Sequence, residues 1–247
     1  MKPMTSTITH FYHSGFSVET PNHFFIFDYV LPPDIKDNPN ERIRLKPEYL
    51  SQKRNVFVFV SHHHNDHYMP EIFEWHHQVS GIQYVLSDDI QVKGSQNLHF
   101  VKPGDYLKIN EVAIRTFGST DEGVSFLVQS DQLTFFHSGD LNWWHWNNFS
   151  PDKQKEEETD FKRIIDLVCK YKIDVAFVPV DPRLEDAYFW AGKHFFEKVK
   201  PDLLIPMHFR DNFVITHSFS AKMNVPERSV ARLNNRGESI FYSKSKV

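Results

Sequence analysis

A group of potential metal ligands directly after an apolar run constrains this chain more than any other feature of the sequence. Four of the residues in the segment 61–70 fit the pattern H-x-H-x-D-H, namely His62, His64, Asp66 and His67. Crowded imidazoles are costly to desolvate and repel one another once protonated, and a bound cation removes both penalties. The preceding run, residues 55–60, is typical of a buried strand. The pattern therefore predicts metal ligands held where a strand ends.

The spacing of these ligands predicts room for two ions. His62 and His64 project to the same side of an extended chain, whereas Asp66 and His67 fall on the next turn and can face a second ion. A fortuitous surface histidine tract and an expression tag are the competing explanations. Neither of them accounts for an aspartate one residue before the last histidine, so we predict a metal site.

Four segments together resemble the metallo-β-lactamase superfamily. The histidine motif is one, and the other three are the opening stretch Ile8–Glu19 with Phe24–Asp28, the segment Phe135–Asp140, and the segment Leu203–His208. The opening stretch is similar to the branch that includes ascorbate-phosphate lactonases. The resemblance implies one domain over residues 1–247 with an α/β (α+β) fold, a four-layer αββα sandwich.

The resemblance also implies a binuclear metal centre. In it, the first ion is held by His62 and His64, the second by Asp66, His67 and His208, and both ions by Asp140. Asp66 would in addition orient the attacking hydroxide, which makes it the expected catalytic residue. Zinc is the expected metal because imidazole and carboxylate suit it, and manganese and iron also suit a site rich in carboxylates.

One segment departs from the superfamily pattern. The superfamily usually places another histidine between the first motif and the glycine-aspartate motif, but residues 117–126 contain none. Asp121 is the nearest residue able to ligate, since a carboxylate oxygen can replace an imidazole on zinc and is preferred by harder ions. An Asx-type turn ahead of Gly123 explains Asp121 equally well, so both interpretations stay open.

Other candidates lie near these motifs. His13 matches a position of the opening motif, where it contacts substrate or a metal ligand, or else is an ordinary turn histidine. His137 is expected to hydrogen-bond within the core rather than to bind metal. Arg183 follows a predicted strand on the side where α/β sheets place ligands, so it is a candidate clamp for phosphate or carboxylate. A surface salt bridge is the competing explanation for Arg183.

An unusual density of aromatic residues directly follows Asp140. The expected wall of an organic-substrate pocket consists of Trp143, Trp144, His145 and Trp146. Tryptophans in a half-buried loop also serve as core residues, and this alternative stays open.

Strand-like and helix-like patterns agree with the implied fold. Strands are predicted at 8–12, 16–19, 24–28, 55–60, 83–87, 98–101, 106–110, 111–117, 124–129, 133–137, 174–180 and 203–207. Helices are predicted from Lys155 to about Tyr171 and near 188–199. Cys169, in the first helix, is expected to be a buried apolar residue. Strands first and α/β units later suit two sheets packed face to face with helices outside.

The net charge and the absence of several sequence motifs argue against some classes of function for this chain. A net charge of -4 and a pI near 6.4 give no general basic field, so no nucleic-acid partner is expected. The chain has no G-x-S-x-G elbow and no G-x-x-x-x-G-K-[ST] loop. It also has neither a run approaching roughly 18 apolar residues nor the apolar core of a signal peptide in residues 1–12. We therefore expect a cytoplasmic protein without a membrane partner.

These features predict a metal-dependent hydrolase with a small-molecule substrate. Metal binding lowers the pKa of water from about 15.7 to about 7, so we expect metal-bound hydroxide to attack a small ester, lactone or phosphodiester. A redox or oxygen-dependent di-iron enzyme can use the same ligands. A non-catalytic metal-binding module also stays open, because the missing histidine near Asp121 would suit a site reduced to one ion.

Overall fold

A computed structural model describes residues 4–35, 38, 41–92 and 97–244. The strands are, in chain order, β1 (Thr5–His10), β2 (Phe16–Glu19), β3 (Phe24–Phe27), β4 (Val56–Val60), β5 (Gln83–Ser87), β6 (Leu98–Val101), β7 (Tyr106–Ile109), β8 (Val112–Phe117), β9 (Ser125–Ser130), β10 (Leu133–His137), β11 (Val175–Pro179), β12 (Leu203–Met207) and β13 (Ser239–Ser243). The α-helices are α1 (Pro47–Leu50), α2 (Pro151–Val168), α3 (Trp190–Val199) and α4 (Val214–Met223). Short 3₁₀ helices span Pro70–His77, Pro182–Ala187 and Glu227–Ser229.

The chain divides into two compact units. The first contains residues 1–101 and 235–247, and the second contains residues 102–234. Each unit holds one mixed sheet. This division leaves the prediction of one domain over residues 1–247 untested.

The sheet of the first unit has the strand order β13-β1-β2-β3-β4-β5-β6. Strands β13 to β3 pair antiparallel, and β3 to β6 pair parallel. All five residues of β4 are buried, as parallel strands covered on both faces require. Phe27 pairs with Phe59, so β3 and β4 end side by side. The residues that follow these two strands therefore start from the same edge of the sheet.

The sheet of the second unit has the strand order β12-β11-β10-β9-β8-β7. Strands β10, β11 and β12 are parallel neighbours, and β7 to β10 pair antiparallel. Helix α2 buries Phe161, Ile164, Ile165 and Val168, which have the spacing of one helical face. This face packs in a core cluster that also contains Phe136 and Phe195. The carboxyl ends of the three parallel strands consequently lie together.

Most predicted elements are present, although some boundaries differ and several elements were not predicted. Helix α2 starts at Pro151 because the Ser150 hydroxyl accepts a hydrogen bond from the Lys153 N–H, which caps the first turn. Strand β13, helices α1 and α4, and the three 3₁₀ helices were not predicted. The expectation that Cys169 is buried is wrong. It is exposed, because it lies one position beyond Val168, which completes the apolar face of α2.

None of the helices formed by the described residues has both the length and the apolar character needed to cross a membrane.

Candidate metal centre

Asp28 organises the start of the histidine motif in the first unit. It follows β3, and its N–H donates to the Phe59 carbonyl of β4 at 3.0 Å. The Ser61 N–H donates to Oδ1 of Asp28 at 2.8 Å, and the Ser61 hydroxyl donates to Oδ2 at 2.7 Å. Because β3 and β4 are parallel neighbours, this carboxylate meets the motif at its first residue. Sequence reasoning assigned no role to Asp28.

Asp28 also holds His67. Nδ1 of His67 lies 2.8 Å from Oδ2 of Asp28, and both side chains are buried. A carboxylate that accepts a hydrogen bond from Nδ1–H leaves Nε2 as the unprotonated nitrogen, and this is the tautomer that binds a metal. The contact therefore prepares His67 to ligate through Nε2.

The Ser61 hydroxyl extends this effect to His62. The hydroxyl lies 2.9 Å from Nδ1 of His62, and its single proton is donated to Asp28, so it accepts from Nδ1–H. Nε2 of His62 lies 3.0 Å from Nδ1 of His64. The two ring nitrogens face each other, an arrangement in which one cation can be bound by both.

His13 and Asp66 complete the cluster of the first unit. Nε2 of His13 lies 3.4 Å from Oδ2 of Asp66, and His13 is buried whereas the Asp66 side chain is 37% exposed. His13, Asp66 and His67 each offer a ligand atom within 4.8 Å of those of the other two. His13 has a left-handed backbone, with φ of 54°, within the turn closed by the bond from the Gly15 N–H to the Tyr12 carbonyl. It is thus both a turn residue and a neighbour of the predicted ligands.

Three candidate side chains of the second unit follow three parallel strands. Asp140, Asp181 and His208 come after β10, β11 and β12, at the edge where open α/β sheets bind ligands. Nε2 of His208 lies 3.2 Å from Oδ1 of Asp140, and its Nδ1 lies 3.1 Å from Oδ2 of Asp181. All three residues are buried, and His208 has a left-handed φ of 67°. Sequence reasoning assigned no role to Asp181.

The charges around His208 suit a cation. Burial lowers the pKa of His208, but the carboxylates of Asp140 and Asp181 outweigh burial and raise it. Burial raises the pKa of Asp181, but hydrogen bonds from His208 and Arg183 outweigh that and lower it to about 2. Two carboxylates thus favour positive charge on this imidazole, and a divalent ion at Nε2 can supply that charge in place of a proton.

Asp121 lies beside Asp140. The Thr120 hydroxyl donates to the Asn142 carbonyl at 2.6 Å and accepts from the Asn142 N–H at 2.9 Å, which ties this loop to the segment after Asp140. An oxygen of Asp121 lies within 4.8 Å of one of Asp140. The Asp121 N–H donates to the Ser119 hydroxyl at 3.1 Å, so Asp121 also belongs to a turn. That bond involves the backbone of Asp121 and not its carboxylate, so both interpretations of the side chain stay open.

The remaining candidates separate into residues that pack away from His208 and residues that contact its cluster. His137, Trp143 and His145 are in the first group. His137 is fully buried, and its Nδ1 accepts from the Gly139 N–H at 3.2 Å, as a core histidine does. Trp143 packs at 5.3 Å from Trp190, and His145 lies 4.5 Å from the same ring.

Trp144 and Arg183 instead contact the cluster of Asp140, Asp181 and His208. The ring centroid of Trp144 lies 5.6 Å from that of His208. Arg183 makes a salt bridge of 2.6 Å with Asp181. The salt bridge anticipated for Arg183 therefore exists, and its partner is a buried residue in contact with His208.

The donor sets of the two units fit a divalent transition metal. Each set combines imidazole with carboxylate, and each contains a histidine whose Nδ1 is held by a buried aspartate. Zinc is commonly bound in this way, and manganese and iron accept the same donors. The chain thus has histidine and aspartate clusters suited to bind metal.

Solved structures with similar folds are known. Igni18, a novel metallo hydrolase from the hyperthermophilic archaeon Ignicoccus hospitalis, has a TM-score of 0.67 at 18% identity, over 98% of this chain and 100% of that one. The metallo-β-lactamase fold protein YhfI from Bacillus subtilis has a TM-score of 0.59 at 11% identity, over 97% of this chain and 100% of that chain. CmlA, a diiron β-hydroxylase from Streptomyces venezuelae, has a TM-score of 0.57 at 11% identity, over 99% of this chain and 55% of that chain. At these identities the likeness concerns the fold alone, and it confirms the predicted fold class.

Sequence comparison identifies the family. A search of curated proteins found no match. The family model described as the β-lactamase superfamily domain matches residues 7–160, which is more than half of the chain. These comparisons do not single out the branch of ascorbate-phosphate lactonases, which stays a prediction. The chain belongs to the β-lactamase superfamily and has the metallo-β-lactamase fold.

Proposed function

We propose that this protein is a metal-dependent hydrolase of a small ester, lactone or phosphodiester. The observation that carries the proposal is the pairing of a buried histidine with a buried aspartate in each unit. Asp28 holds Nδ1 of His67, and Asp181 holds Nδ1 of His208. Aspartate partners of this kind fix the tautomer and raise the basicity of metal-binding histidines.

The proposal takes one residue set as ligands of one or two ions. These residues are His62, His64, Asp66, His67, Asp140 and His208. Such an ion would lower the pKa of a water molecule to about 7 and supply hydroxide at neutral pH. A protein nucleophile is then not required, in agreement with the absence of a G-x-S-x-G elbow from the sequence.

Asp66 is the proposed catalytic residue. Its side chain is 37% exposed, so water can reach it, and Nε2 of His13 lies 3.4 Å from its Oδ2. The carboxylate can accept a hydrogen bond from the attacking water and orient it, while His13 limits the motion of the carboxylate. By accepting the proton on Nδ1 of His67, Asp28 leaves Nε2 as the nitrogen that can bind the ion.

Zinc is the proposed metal, with manganese or iron as alternatives. The proposed partner is a small-molecule substrate, without nucleic acid or membrane, and the proposed location is the cytoplasm. The choice of metal rests on the chemistry of the donor atoms. The choice of partner and location rests on the net charge of -4 and on the lack of a long apolar run in the given sequence.

A redox di-iron enzyme is the second candidate. The observation in its favour is that CmlA, described as a diiron β-hydroxylase, has a similar fold with a TM-score of 0.57. A non-catalytic metal-binding module is the third, because residues 117–126 lack a histidine. Anaerobic purification with iron analysis and optical spectroscopy separates the redox candidate from a hydrolase.

The direct test combines metal analysis with a substrate panel. Protein without an affinity tag is reconstituted with zinc, manganese or iron and assayed on ester, lactone and phosphodiester substrates. We expect metal near or above one equivalent and turnover in one substrate class. Metal far below one equivalent after reconstitution would contradict the proposal. Bound metal without turnover of any class would support the non-catalytic module.

Asp66→Asn tests the proposed mechanism. It should lower kcat by roughly 100-fold or more, because positioned general acid-base groups contribute about that much. Asp160→Asn is the control, since Asp160 is a half-exposed carboxylate on α2. Thermal unfolding of the metal-free protein should be nearly unchanged in both variants. Wild-type turnover in Asp66→Asn would show that Asp66 has no catalytic role.

A further inference from the structure

A line of side chains leads from His208 to the surface of the second unit. The ring of Trp144 meets His208 nearly edge-on, and the indoles of Trp144 and Trp146 are parallel with centroids 5.9 Å apart. The guanidinium carbon of Arg183 lies 5.5 Å from the centre of the Trp146 ring. Exposure increases along this line: Trp144 is buried, Trp146 is half-buried, and the Arg183 side chain is 46% exposed.

The orientation of Arg183 is fixed by Asp181. Nε of Arg183 lies 2.9 Å and Nη2 lies 2.6 Å from Oδ2 of this buried carboxylate. A two-pronged pair of this kind sets the direction of all five N–H donors of the planar guanidinium. Since the long side chain is already held, a ligand that binds it loses little further conformational entropy.

The loop that carries Trp146 is also held in place. Nε2 of Gln154 donates to the Trp146 carbonyl at 2.9 Å, and Nδ2 of Asn147 donates to Oε2 of Glu185 at 2.8 Å. Glu185 has a left-handed φ of 49°, which is strained for a residue other than glycine. Strain of this kind persists where surrounding contacts over-determine the backbone, and it is frequent at binding sites.

Core packing accounts for only part of this aromatic group. Trp144 belongs to a small buried cluster with Leu184 and Ala187. Trp146 packs at the margin of that cluster and keeps contact with the Arg183 guanidinium. Trp144 therefore supports His208 and the loop, whereas Trp146 and Arg183 are accessible to a ligand.

We propose that Arg183 and Trp146 form a subsite for an anionic oxygen group of the substrate, either a carboxylate or a phosphate. The proposal rests on the hydrolase function proposed above. The guanidinium fork matches both groups in geometry, and the Trp146 face supports the guanidinium plane. Nη2 of Arg183 lies 3.4 Å from Nδ1 of His208, so the subsite adjoins a proposed metal ligand. A small substrate can reach both.

Anion binding tests the subsite without relying on turnover. Inorganic phosphate and succinate are titrated separately by calorimetry into the purified protein, before and after removal of metal by a chelator. The variants are Arg183→Gln, Arg183→Lys and Trp146→Phe. Arg163→Gln is the matched control, because Arg163 pairs with Asp160 in a similar way on the exposed face of α2. Circular dichroism verifies that each variant is folded.

We expect Arg183→Gln to weaken binding of at least one of the two anions by about tenfold or more, since a hydrogen bond to a charged group is lost. Arg183→Lys should keep part of the affinity because it keeps the charge but not the fork. Trp146→Phe should weaken binding by about threefold. Arg163→Gln should match the wild type. The anion that depends on Arg183 identifies carboxylate or phosphate. Equal affinity of wild type and Arg183→Gln for both anions would overturn the subsite.

Matched substrates separate this proposal from the hydrolase proposal. An ester with a carboxylate or phosphate is compared with its neutral analogue, and Arg183→Gln should raise KM for the anionic substrate alone. If kcat/KM falls equally for both substrates, Arg183 merely supports His208 through Asp181, and the subsite is wrong although the hydrolase proposal stands. If no substrate is turned over but anion affinity depends on Arg183, the hydrolase proposal fails and the subsite stands.

Discussion

Oδ2 of Asp28 lies 2.8 Å from Nδ1 of His67, and the two side chains come from positions 39 residues apart. The same carboxylate accepts hydrogen bonds from the Ser61 N–H and hydroxyl, and the hydroxyl contacts Nδ1 of His62. A single buried aspartate therefore orients two proposed metal ligands, one directly and one through a serine. Loss of the Asp28 charge should therefore disturb the orientation of both His67 and His62.

Asp28→Asn should lower metal affinity by about 10- to 100-fold, which is the usual effect of removing a residue that orients a ligand. Asparagine keeps the side-chain volume but removes the charge that stabilises the Nδ1–H tautomer. Asp88→Asn, at an exposed aspartate of the same unit, is the control. Competition with a chelator of known affinity gives the comparison. Unchanged affinity in Asp28→Asn would mean that His67 and His62 are oriented by other contacts.

Replacement of Gly192 in α3 by alanine should destabilise the protein, although alanine usually stabilises a helix. A Cβ at this position would lie 2.6 Å from Cζ of Phe219 in α4. Alanine favours a helix over glycine by about 1 kcal/mol, but overpacking typically costs about 1–3 kcal/mol, so Gly192→Ala should lower the free energy of unfolding. Denaturation in urea measures the change. Adding Phe219→Leu should recover part of the loss, and an increase in stability from Gly192→Ala alone would show that Phe219 yields without strain.

The raised pKa of Tyr29 leads us to expect a loss of stability at high pH. Burial raises the pKa of Tyr29 to about 12, against the opposing effects of the Leu45 N–H and Arg44. A raised pKa favours the neutral folded form, so its contribution is complete below pH 10 and is lost as pH rises towards 12. The free energy of unfolding should fall by on the order of 2–3 kcal/mol across this interval.

Tyr29→Phe should remove much of that dependence. Tyr84, whose pKa burial also raises, should keep the remainder. Tyr49→Phe is the control, because Tyr49 is 44% exposed. Unfolding followed by fluorescence between pH 9 and pH 12 gives the comparison, and an identical pH dependence in Tyr29→Phe and the wild type would contradict the assignment.

The position of the histidine motif directly after a buried strand was predictable because its information is local. His62, His64, Asp66 and His67 lie within a few residues of one another, directly after a strand whose residues are all buried. Strand positions were predictable for the same reason. The supporting aspartates were not, because their role depends on which strands are neighbours. Asp28 reaches His67 since β3 pairs with β4, and Asp181 reaches His208 since β11 pairs with β12.

The elements that sequence reasoning missed have weak local patterns. Strand β13 has mostly exposed residues, and it pairs Ser239 with Thr9 near the other end of the chain. Helix α4 buries Thr216 and Ser220 together with Phe219 and Met223, so its buried face is partly polar. The Thr216 hydroxyl donates to the Leu233 carbonyl at 3.2 Å, which is a tertiary contact. Periodicity in one sequence does not reveal such contacts.

The last prediction concerns the departure at Asp121. One of its oxygens lies within 4.8 Å of an oxygen of Asp140, and Thr120 ties its loop to Asn142. A carboxylate reaches less far than an imidazole, so we expect Asp121 to hold the first ion weakly, directly or through water. Asp121→Ala should lower the occupancy of one metal and leave the other nearly unchanged.

Asp121→His tests the same point in the opposite direction, because it restores the histidine that the superfamily usually has. It should strengthen binding of the weaker ion, since imidazole is a good ligand for zinc. Glu111→Ala, at an exposed acidic residue of the same unit, is the control. Zinc titration with metal counting by mass spectrometry resolves the binding of the first ion from the binding of the second. If both Asp121 variants bind metal like the wild type, Asp121 only forms the turn with Ser119, and the first ion must be completed by solvent or by another side chain.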